Sequence, residues 1–396
     1  MPPAPVVDPE IPEQLLMVPG PTPVPEAIRS YAASPLINHR SPAFRHLHDR
    51  VIPQLQAVFQ TQQPVCIWPS SGTGVLECAI VNLFSPGDRV LSLVMGAFGE
   101  RFAEIAEAFG IQVERMEAPW GEGFDPEAVG ARLRQDAQQA GPRFAAVLCT
   151  FNETSTGVLL RLPEIAAHVR AHGALLVVDA ISGLGGADLQ TDAWGCDVVI
   201  TGSQKALMLP PGLGMLSISP RAREAGERAR LPRAYWDWRP YLAMADHGAT
   251  PYTPAVSLWY ALDASLRRML AEGLPQVFAR HLALRQLSRE AFPQAGFPLM
   301  TSEIDASPTV TSVRLPEGLA FADLSAAMGE HGVTIAGGLG RLTGKMLRIG
   351  HMGGLSTPDL VRFFVTLDQV VAKLGVRAPG QAGPTAAAAA GRLGLL

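Results

Sequence analysis

Seven apolar segments of strand length recur along the first part of the chain, at 66–68, 89–94, 111–116, 144–150, 174–178, 197–201 and 213–218, and most alternate with helical patterns such as Phe102 to Phe109 and Leu162 to Ala171. Strands that alternate with helices predict a largely parallel sheet in a three-layer domain, because each parallel connection needs a crossover element. The run from Ala174 to Val178 is apolar without a break, as a strand buried on both faces requires. From about residue 260 the pattern changes. A long helical stretch from Ser257 to Glu272 leads to the strand-like Thr309 to Val313, a helix-like 321–330 and the short apolar Lys345 to Ile349, which together predict a smaller α/β unit. A length of 396 residues also exceeds what one core usually supports. The expected organisation is a Pro-rich extension over 1–14, a large domain over 15–260, a small domain over 261–376 and a tail over 377–396. That tail, with Pro, Gly and the alanines 386 to 390, shows no apolar periodicity and is expected to be disordered.

Composition narrows the function classes. Hydrophobic residues make up 47% and charged residues 17%, enough apolar mass for a large interior, and the net charge of -4 offers no basic field for nucleic acid or an anionic membrane. No apolar run approaches the roughly 18 residues of a spanning helix. The start, Met1-Pro2-Pro3-Ala4-Pro5, has neither the basic nor the apolar stretch of a secretory signal, so a cytoplasmic location is expected. Cys66, Cys78, Cys149 and Cys196 sit in or beside apolar runs without the spacing of a zinc site, and read as buried thiols. His46 and His48, two apart on a helical pattern, face different ways and do not share a metal.

Three stretches carry chemistry. Lys205 follows the apolar segment ending at Thr201, in Gly202-Ser203-Gln204-Lys205; an amine at a strand end, desolvated enough to be neutral, can form a Schiff base with a carbonyl. The rival reading is a solvated surface lysine. Upstream, Ser70-Ser71-Gly72-Thr73-Gly74 joins the strand Cys66-Ile67-Trp68 to an apolar helix start at Val75, a geometry that aims free amides at a phosphate. It lacks the lysine of a P-loop and the spacing of a dinucleotide fingerprint, which points to a cofactor phosphate; an ordinary capped helix entry is the alternative. Asp179 ends the apolar run 174–178, where open α/β sheets bind ligands, although it could equally cap the next helix. Phosphate turn, strand-end Asp and strand-end Lys, in that order, are the parts that pyridoxal phosphate needs: an anchor, a partner for the pyridine nitrogen and an amine for the aldehyde.

Beyond these three, Pro19-Gly20-Pro21-Thr22, Asn38-His39-Arg40-Ser41-Pro42, Asn152-Glu153-Thr154-Ser155-Thr156-Gly157, Val178-Asp179-Ala180-Ile181-Ser182, Thr253-Pro254 and Arg348-Ile349-Gly350-His351 extend the pattern over about 15–360. Together they resemble the class V, fold-type I pyridoxal phosphate aminotransferases, within them the alanine-glyoxylate and serine-glyoxylate group. The resemblance implies the fold-type I transferase architecture: a large α/β/α domain with a mostly parallel seven-stranded sheet, and a smaller C-terminal α/β domain.

It also implies roles, each with a plainer alternative. Ser71, Gly72 and Thr73 form the phosphate turn, with Gln204 as a further ligand and Ser203 shaping the turn. Phe98, in Met95-Gly96-Ala97-Phe98-Gly99, stacks on the pyridine, unless it is ordinary core; Thr154 lies near the ring oxygen, unless it only caps a turn. Ile181 adds a cofactor contact beside Asp179. Thr253 reaches the phosphate of a neighbouring subunit, which implies a homodimer with shared active sites. The alanine-glyoxylate branch carries a tyrosine three residues before this threonine, whereas Thr250 stands here and Tyr252 is displaced. Arg348 takes the substrate carboxylate, with Gly20 in the pocket wall; the alternative is a structural ion pair. Lys205 is then base and acid, Asp179 stabilises the protonated ring, and an amino group passes from alanine or serine to glyoxylate in a ping-pong cycle with no metal. A serine-pyruvate or other 2-oxo acid transaminase stays open. So do a lyase or desulfurase, against which stands the lack of a loop cysteine near Gly337-Gly338-Leu339-Gly340, and a non-catalytic accessory subunit. That glycine-rich stretch reads as a mobile loop.

Overall fold

The computed structural model describes residues 14–376 and 378–395; the Pro-rich extension therefore falls almost wholly outside the described residues. Seven strands form the central sheet: β1 (Val65–Ser70), β2 (Arg89–Val94), β3 (Gln112–Glu117), β4 (Ala146–Thr150), β5 (Leu175–Asp179), β6 (Val198–Gly202) and β7 (Gly212–Ile218). Their spatial order is β1-β7-β6-β5-β4-β2-β3. Pairings from β6 through β3 are parallel, while β7 runs antiparallel to both neighbours.

Side chains on these strands alternate between two apolar clusters, one on each face of the sheet, that together make the large-domain core. Leu176 and Val178 of β5, with Val147 and Cys149 of β4, enter one apolar cluster. Leu175 and Val177, with Ala146 and Leu148, enter the other. Both faces are covered, which is why the segments read as uninterrupted apolar runs. All four cysteines are buried and unpaired, as expected from the sequence.

The second core lies around strands β8 (Val310–Arg314), β9 (Ala336–Gly337) and β10 (Met346–Gly350), in the order β8-β10-β9. Helix α3 (Val256–Glu272) buries Trp259, Leu262, Leu266 and Met269 in the large-domain core. The next helix, α4 (Leu274–Gln294), buries Leu284, Leu287 and Phe292 in the small-domain core. The expected boundary at 260 falls inside α3; Gly273, whose φ of +86° a side chain would strain, separates the two helices, and the passage from one core to the other lies between Leu274 and Leu284. At the other end, Leu15–Leu16 pairs with Val333–Thr334 and Met17 is buried in the second core, so the first described strand joins the small domain.

The disordered tail is a further correction. Residues Ala382–Arg392 form a helix, α6, against α4 and α5 (Thr357–Lys373). Ala382, Ala386, Ala389 and Ala390 are buried at helical spacing, and Gly383 lets the backbones approach: a Cβ there would lie 2.7 Å from Val365 Cγ2. The Asp368 carboxylate accepts from the Ala382 and Gly383 amides at 3.2 and 2.8 Å, capping the new helix from its neighbour. An all-alanine stretch has high helix propensity but no apolar-polar contrast, so its buried face is invisible to periodicity.

Candidate active site

The functional side chains converge at the carboxyl ends of the parallel strands. Ser71 is the N-cap of α1 (Gly72–Leu83), its hydroxyl accepting from the Gly74 amide at 3.3 Å. The helix begins at Gly72, three residues earlier than the apolar pattern at Val75 suggests, so the Gly-Thr-Gly turn is itself the first helical turn and presents the amides of a helix amino end. Gly72 packs closely on Ile181: a Cβ would lie 2.5 Å from Ile181 Cδ1, which would have to shift to admit it.

Asp179 ends β5 and is fully buried. Its carboxylate accepts from the Ile181 amide at 2.9 Å. Burial pushes its pKa up to about 7; the Ile181 hydrogen bond pulls down, Glu153 pushes up, and Lys205 and Arg101 pull down. Lys205, 9% exposed, is reached three residues past β6 and donates to the Pro19 carbonyl at 2.6 Å. Desolvation, helped by the charge of Arg348 and opposed by Asp179, lowers its pKa from 10.5 to about 8. This burial removes the solvated-lysine alternative. Gly20, with a φ of +137°, is pressed against it; a Cβ there would lie 2.4 Å from Lys205 Nζ.

Nine of the expected residues, Ser71, Gly72, Thr73, Phe98, Thr154, Asp179, Ile181, Gln204 and Lys205, line one cleft. Thr150, Asn152, Ser182 and Arg101 line it too; Asn152 and Ser182 lie in the motif stretches 152–157 and 178–182, which assign them no role, and Thr150 and Arg101 are ordinary polar positions without a pattern of their own. Thr154 donates to Ser182 Oγ at 2.7 Å. Ser203 Oγ donates to the Pro210 carbonyl and accepts from the Leu213 amide, closing the turn as anticipated. Thr150 Oγ1, Asn152 Oδ1 and Gln204 Oε1 are buried polar atoms of cleft residues with no hydrogen-bond partner among the described residues, whereas buried polar groups are ordinarily paired. A concavity of about 430 Å³ opens at the opposite end of the sheet, but its Arg221 is committed to Asp197 and to the Gly173 and Ala174 carbonyls.

Arg348, on β10 of the small domain, does not line the cleft itself but borders it, meeting Thr154 and acting on the titration of Lys205. It is 6% exposed, donates through Nε to the Gly337 carbonyl at 2.7 Å and through Nη1 to the Thr154 carbonyl at 2.9 Å, and makes no ion pair among the described residues. Desolvation lowers its pKa to about 10. The structural ion pair entertained for this residue is not formed among the described residues, although the Glu153 carboxylate is near enough to act on its charge; a planar guanidinium with free donors suits a carboxylate.

Comparison with known proteins agrees with this geometry. The family model described as Aminotransferase class-V matches residues 26–353. The chain belongs to the class-V aminotransferase family. It is 41% identical to the L-aspartate--glyoxylate aminotransferase of Paracoccus denitrificans, over 94% of each chain. It is 40% identical to a protein of Synechococcus sp. named "Soluble hydrogenase, small subunit", over 91% of this chain and 94% of that one. Among solved structures, the alanine--glyoxylate aminotransferase of Nostoc sp. superposes with a TM-score of 0.87 at 31% identity, covering 92% of this chain and 97% of that one. The resemblance of the motifs, the transferase fold and the family membership thus agree.

Three expected residues of this class-V aminotransferase do not line the cleft: Gly20 packs against Lys205 and Arg348 against the Thr154 carbonyl, whereas Thr253 lies apart from it. Thr253 is exposed, and the neighbouring Thr250 and Pro251 carbonyls accept from Arg40 at 2.6 and 3.0 Å. Tyr252 stacks on Tyr235, ring centroids 5.4 Å apart, while Thr250 Oγ1 donates to the Tyr252 carbonyl.

The lowered lysine pKa gives a direct expectation. Only the neutral amine attacks an aldehyde, so the rate of covalent capture by Lys205 should rise with pH through about 8 and level off above it. Stopped-flow mixing of cofactor-free protein with an aromatic aldehyde would measure this; a rate still climbing steeply at pH 10 would contradict it.

Proposed function

We propose that this chain is a pyridoxal phosphate-dependent aminotransferase that moves the amino group of a small neutral amino acid, alanine or serine, to glyoxylate by a ping-pong mechanism. The observation that carries this reading is the pairing of a buried, partly deprotonated amine with a buried guanidinium that makes no salt bridge among the described residues: Lys205 and Arg348 are close enough for the arginine's charge to shift the lysine's titration, and together they suit a substrate bearing both an amine and a carboxylate. Pyridoxal phosphate fits the residues present. The amides at the start of α1, with Ser71, Thr73 and Gln204, would take its phosphate; Asp179 would hold the proton on its ring nitrogen; Phe98 would cover the ring; Lys205 would bind its aldehyde. When bound, it supplies a sink for the electron pair left on the substrate α-carbon.

The chain's own residues do the rest. Arg348 clamps the α-carboxylate and so fixes the α-carbon relative to Lys205. Lys205, poised by desolvation, would take the proton from the substrate α-carbon and deliver it to the cofactor carbon that had carried the aldehyde. Asp179 stays buried, where a carboxylate interacts strongly with a cation. Thr150, Asn152 and Gln204 offer their unpartnered oxygens as hydrogen-bonding groups toward the bound cofactor.

Two subunits complete each site in this reading, with Thr253 reaching the phosphate of the neighbour; its exposure on its own chain supports that. We place the protein in the cytoplasm, supported by four buried, unpaired cysteines; among the described residues no helix is long and apolar enough to cross a membrane. The Paracoccus relative makes aspartate a second donor to consider, and the cations it would engage beyond Arg348 include Arg101 at the cleft.

The test is spectroscopic. Loaded protein mixed with alanine or serine should lose the cofactor's visible absorption and regain it when glyoxylate is added. Loss of the band with aspartate alone would change the donor. Release of sulfur or ammonia without recovery by an oxo acid would indicate a lyase or desulfurase, and no change with any amino acid would defeat the aminotransferase reading in favour of an accessory role.

A further inference from the structure

Helix α2 (Ala97–Ala108) begins three residues after β2, at the wall of the cleft, and its N-cap is Gly96, which has no side chain with which to cap. The opening amides of a helix still need acceptors, and here they come from a distant segment. Ala97 N donates to Ser155 Oγ at 2.8 Å, and Phe98 N and Gly99 N donate to Glu153 Oε2 at 3.1 and 3.0 Å. The other carboxylate oxygen accepts from the Ser155 amide at 2.9 Å and hydroxyl at 2.6 Å. Glu153 is 0% exposed and makes no salt bridge among the described residues, so its charge rests on these donors, the positive end of α2 and the more distant guanidinium of Arg348. Burial raises its pKa while the hydrogen bonds lower it.

Gly96 fits this arrangement by necessity. A Cβ there would lie 2.4 Å from both Glu153 Cγ and Ser155 Oγ. Thr154, between the two capping residues, gives its carbonyl to Arg348 and its hydroxyl to Ser182. One buried carboxylate therefore joins the backbone that carries Phe98 to the segment on which Arg348 is anchored.

We propose that Glu153 is a positioning residue of the site: by capping α2 from across the cleft it holds the Phe98 ring in place over the cofactor, and locks that ring to the segment that anchors the substrate-binding Arg348. This rests on the reading of the cleft as a pyridoxal phosphate site. It assigns Glu153 a role that neither its family resemblance nor the cleft lining reveals, since the carboxylate acts through main-chain amides.

A double-mutant cycle tests it. Pyridoxal phosphate affinity, from equilibrium dialysis, and the visible circular dichroism of the bound cofactor are measured for wild type, Glu153→Gln, Phe98→Leu and the double variant. Glutamine presents a donor where two amides need acceptors, so each single variant should weaken cofactor binding by roughly tenfold and reduce the dichroism. The double variant should be within about twofold of the weaker single one, because Glu153 acts through Phe98. Effects that multiply in the double variant, or a Glu153→Gln protein with native affinity and dichroism, would overturn the inference. If Glu153→Gln does not fold, Ser155→Ala replaces it in the cycle, with the same non-additivity expected and the same additivity decisive against. Wild type that binds no pyridoxal phosphate would sink the cofactor reading and this inference with it, whereas binding with additive variants would sink only the latter.

Discussion

Lys205→Ala is expected to lower amino-acid turnover by about 10³-fold or more with cofactor in excess. The lysine serves twice in the proposed cycle, as the amine that receives the aldehyde and as the group that carries the α-proton, and a positioned general base alone contributes roughly 10²–10⁴-fold. Its environment is built for this. Desolvation lowers its pKa to about 8, leaving a useful fraction neutral near physiological pH, while the Pro19 carbonyl accepts from Nζ. Gly20 leaves no room for a second position, since even a methyl would collide with the amine. Alanine removes both functions and opens a small void, so the fold should survive. The decisive measurement is the first half-reaction under single-turnover conditions, repeated with methylamine added: the small amine should recover part of the rate by entering the void. Unchanged turnover in the variant would exclude Lys205 as the reacting amine and general base.

The second large effect is at Arg348. Its guanidinium is oriented by two backbone carbonyls from different domains, through Nε to Gly337 and Nη1 to Thr154, which leaves the rest of the fork for a ligand. Arg348→Lys keeps a charge but not the planar fork, and an ammonium cannot meet both carbonyls and a bidentate carboxylate. We expect kcat/KM for the amino donor to fall about 10²-fold, and for Arg348→Gln about 10²–10³-fold, equivalent to about 3–4 kcal/mol of lost transition-state binding. Donor and oxo-acid acceptor both carry the recognised carboxylate, so both half-reactions should suffer alike. Covalent capture of the cofactor should be spared, because the arginine is not needed for it. A variant that loses one half-reaction and retains the other would show that the carboxylates bind elsewhere.

Much of this site is legible in the order of the residues. Alternation of apolar runs with helical segments predicts the large-domain sheet, because strands buried on both faces must be apolar throughout. Asp179 and Lys205 can be placed at strand ends because polar residues break those runs abruptly, and the Ser-Gly-Thr-Gly turn announces a helix start through capping chemistry that is local in sequence. The small domain is legible only in part. Helix α4 has charged residues on several sides and a proline at each end, so its buried face barely shows. Helices α3 and α4 differ in which core most of their buried residues enter, a fact no local pattern records.

What the sequence alone determined is the order and type of the elements and the identity of the reactive groups, since both follow from short-range periodicity and side-chain chemistry. Tertiary structure decided the environments. Whether Arg348 has a counter-ion, whether Lys205 is dry, what closes the amino ends of α2 and α6, and why Gly20 and Gly96 admit no side chain all depend on groups far away in the chain. Burial and hydrogen-bond partnership are properties of packing, and packing brings together residues such as Thr154 and Arg348 that are separated by 194 positions.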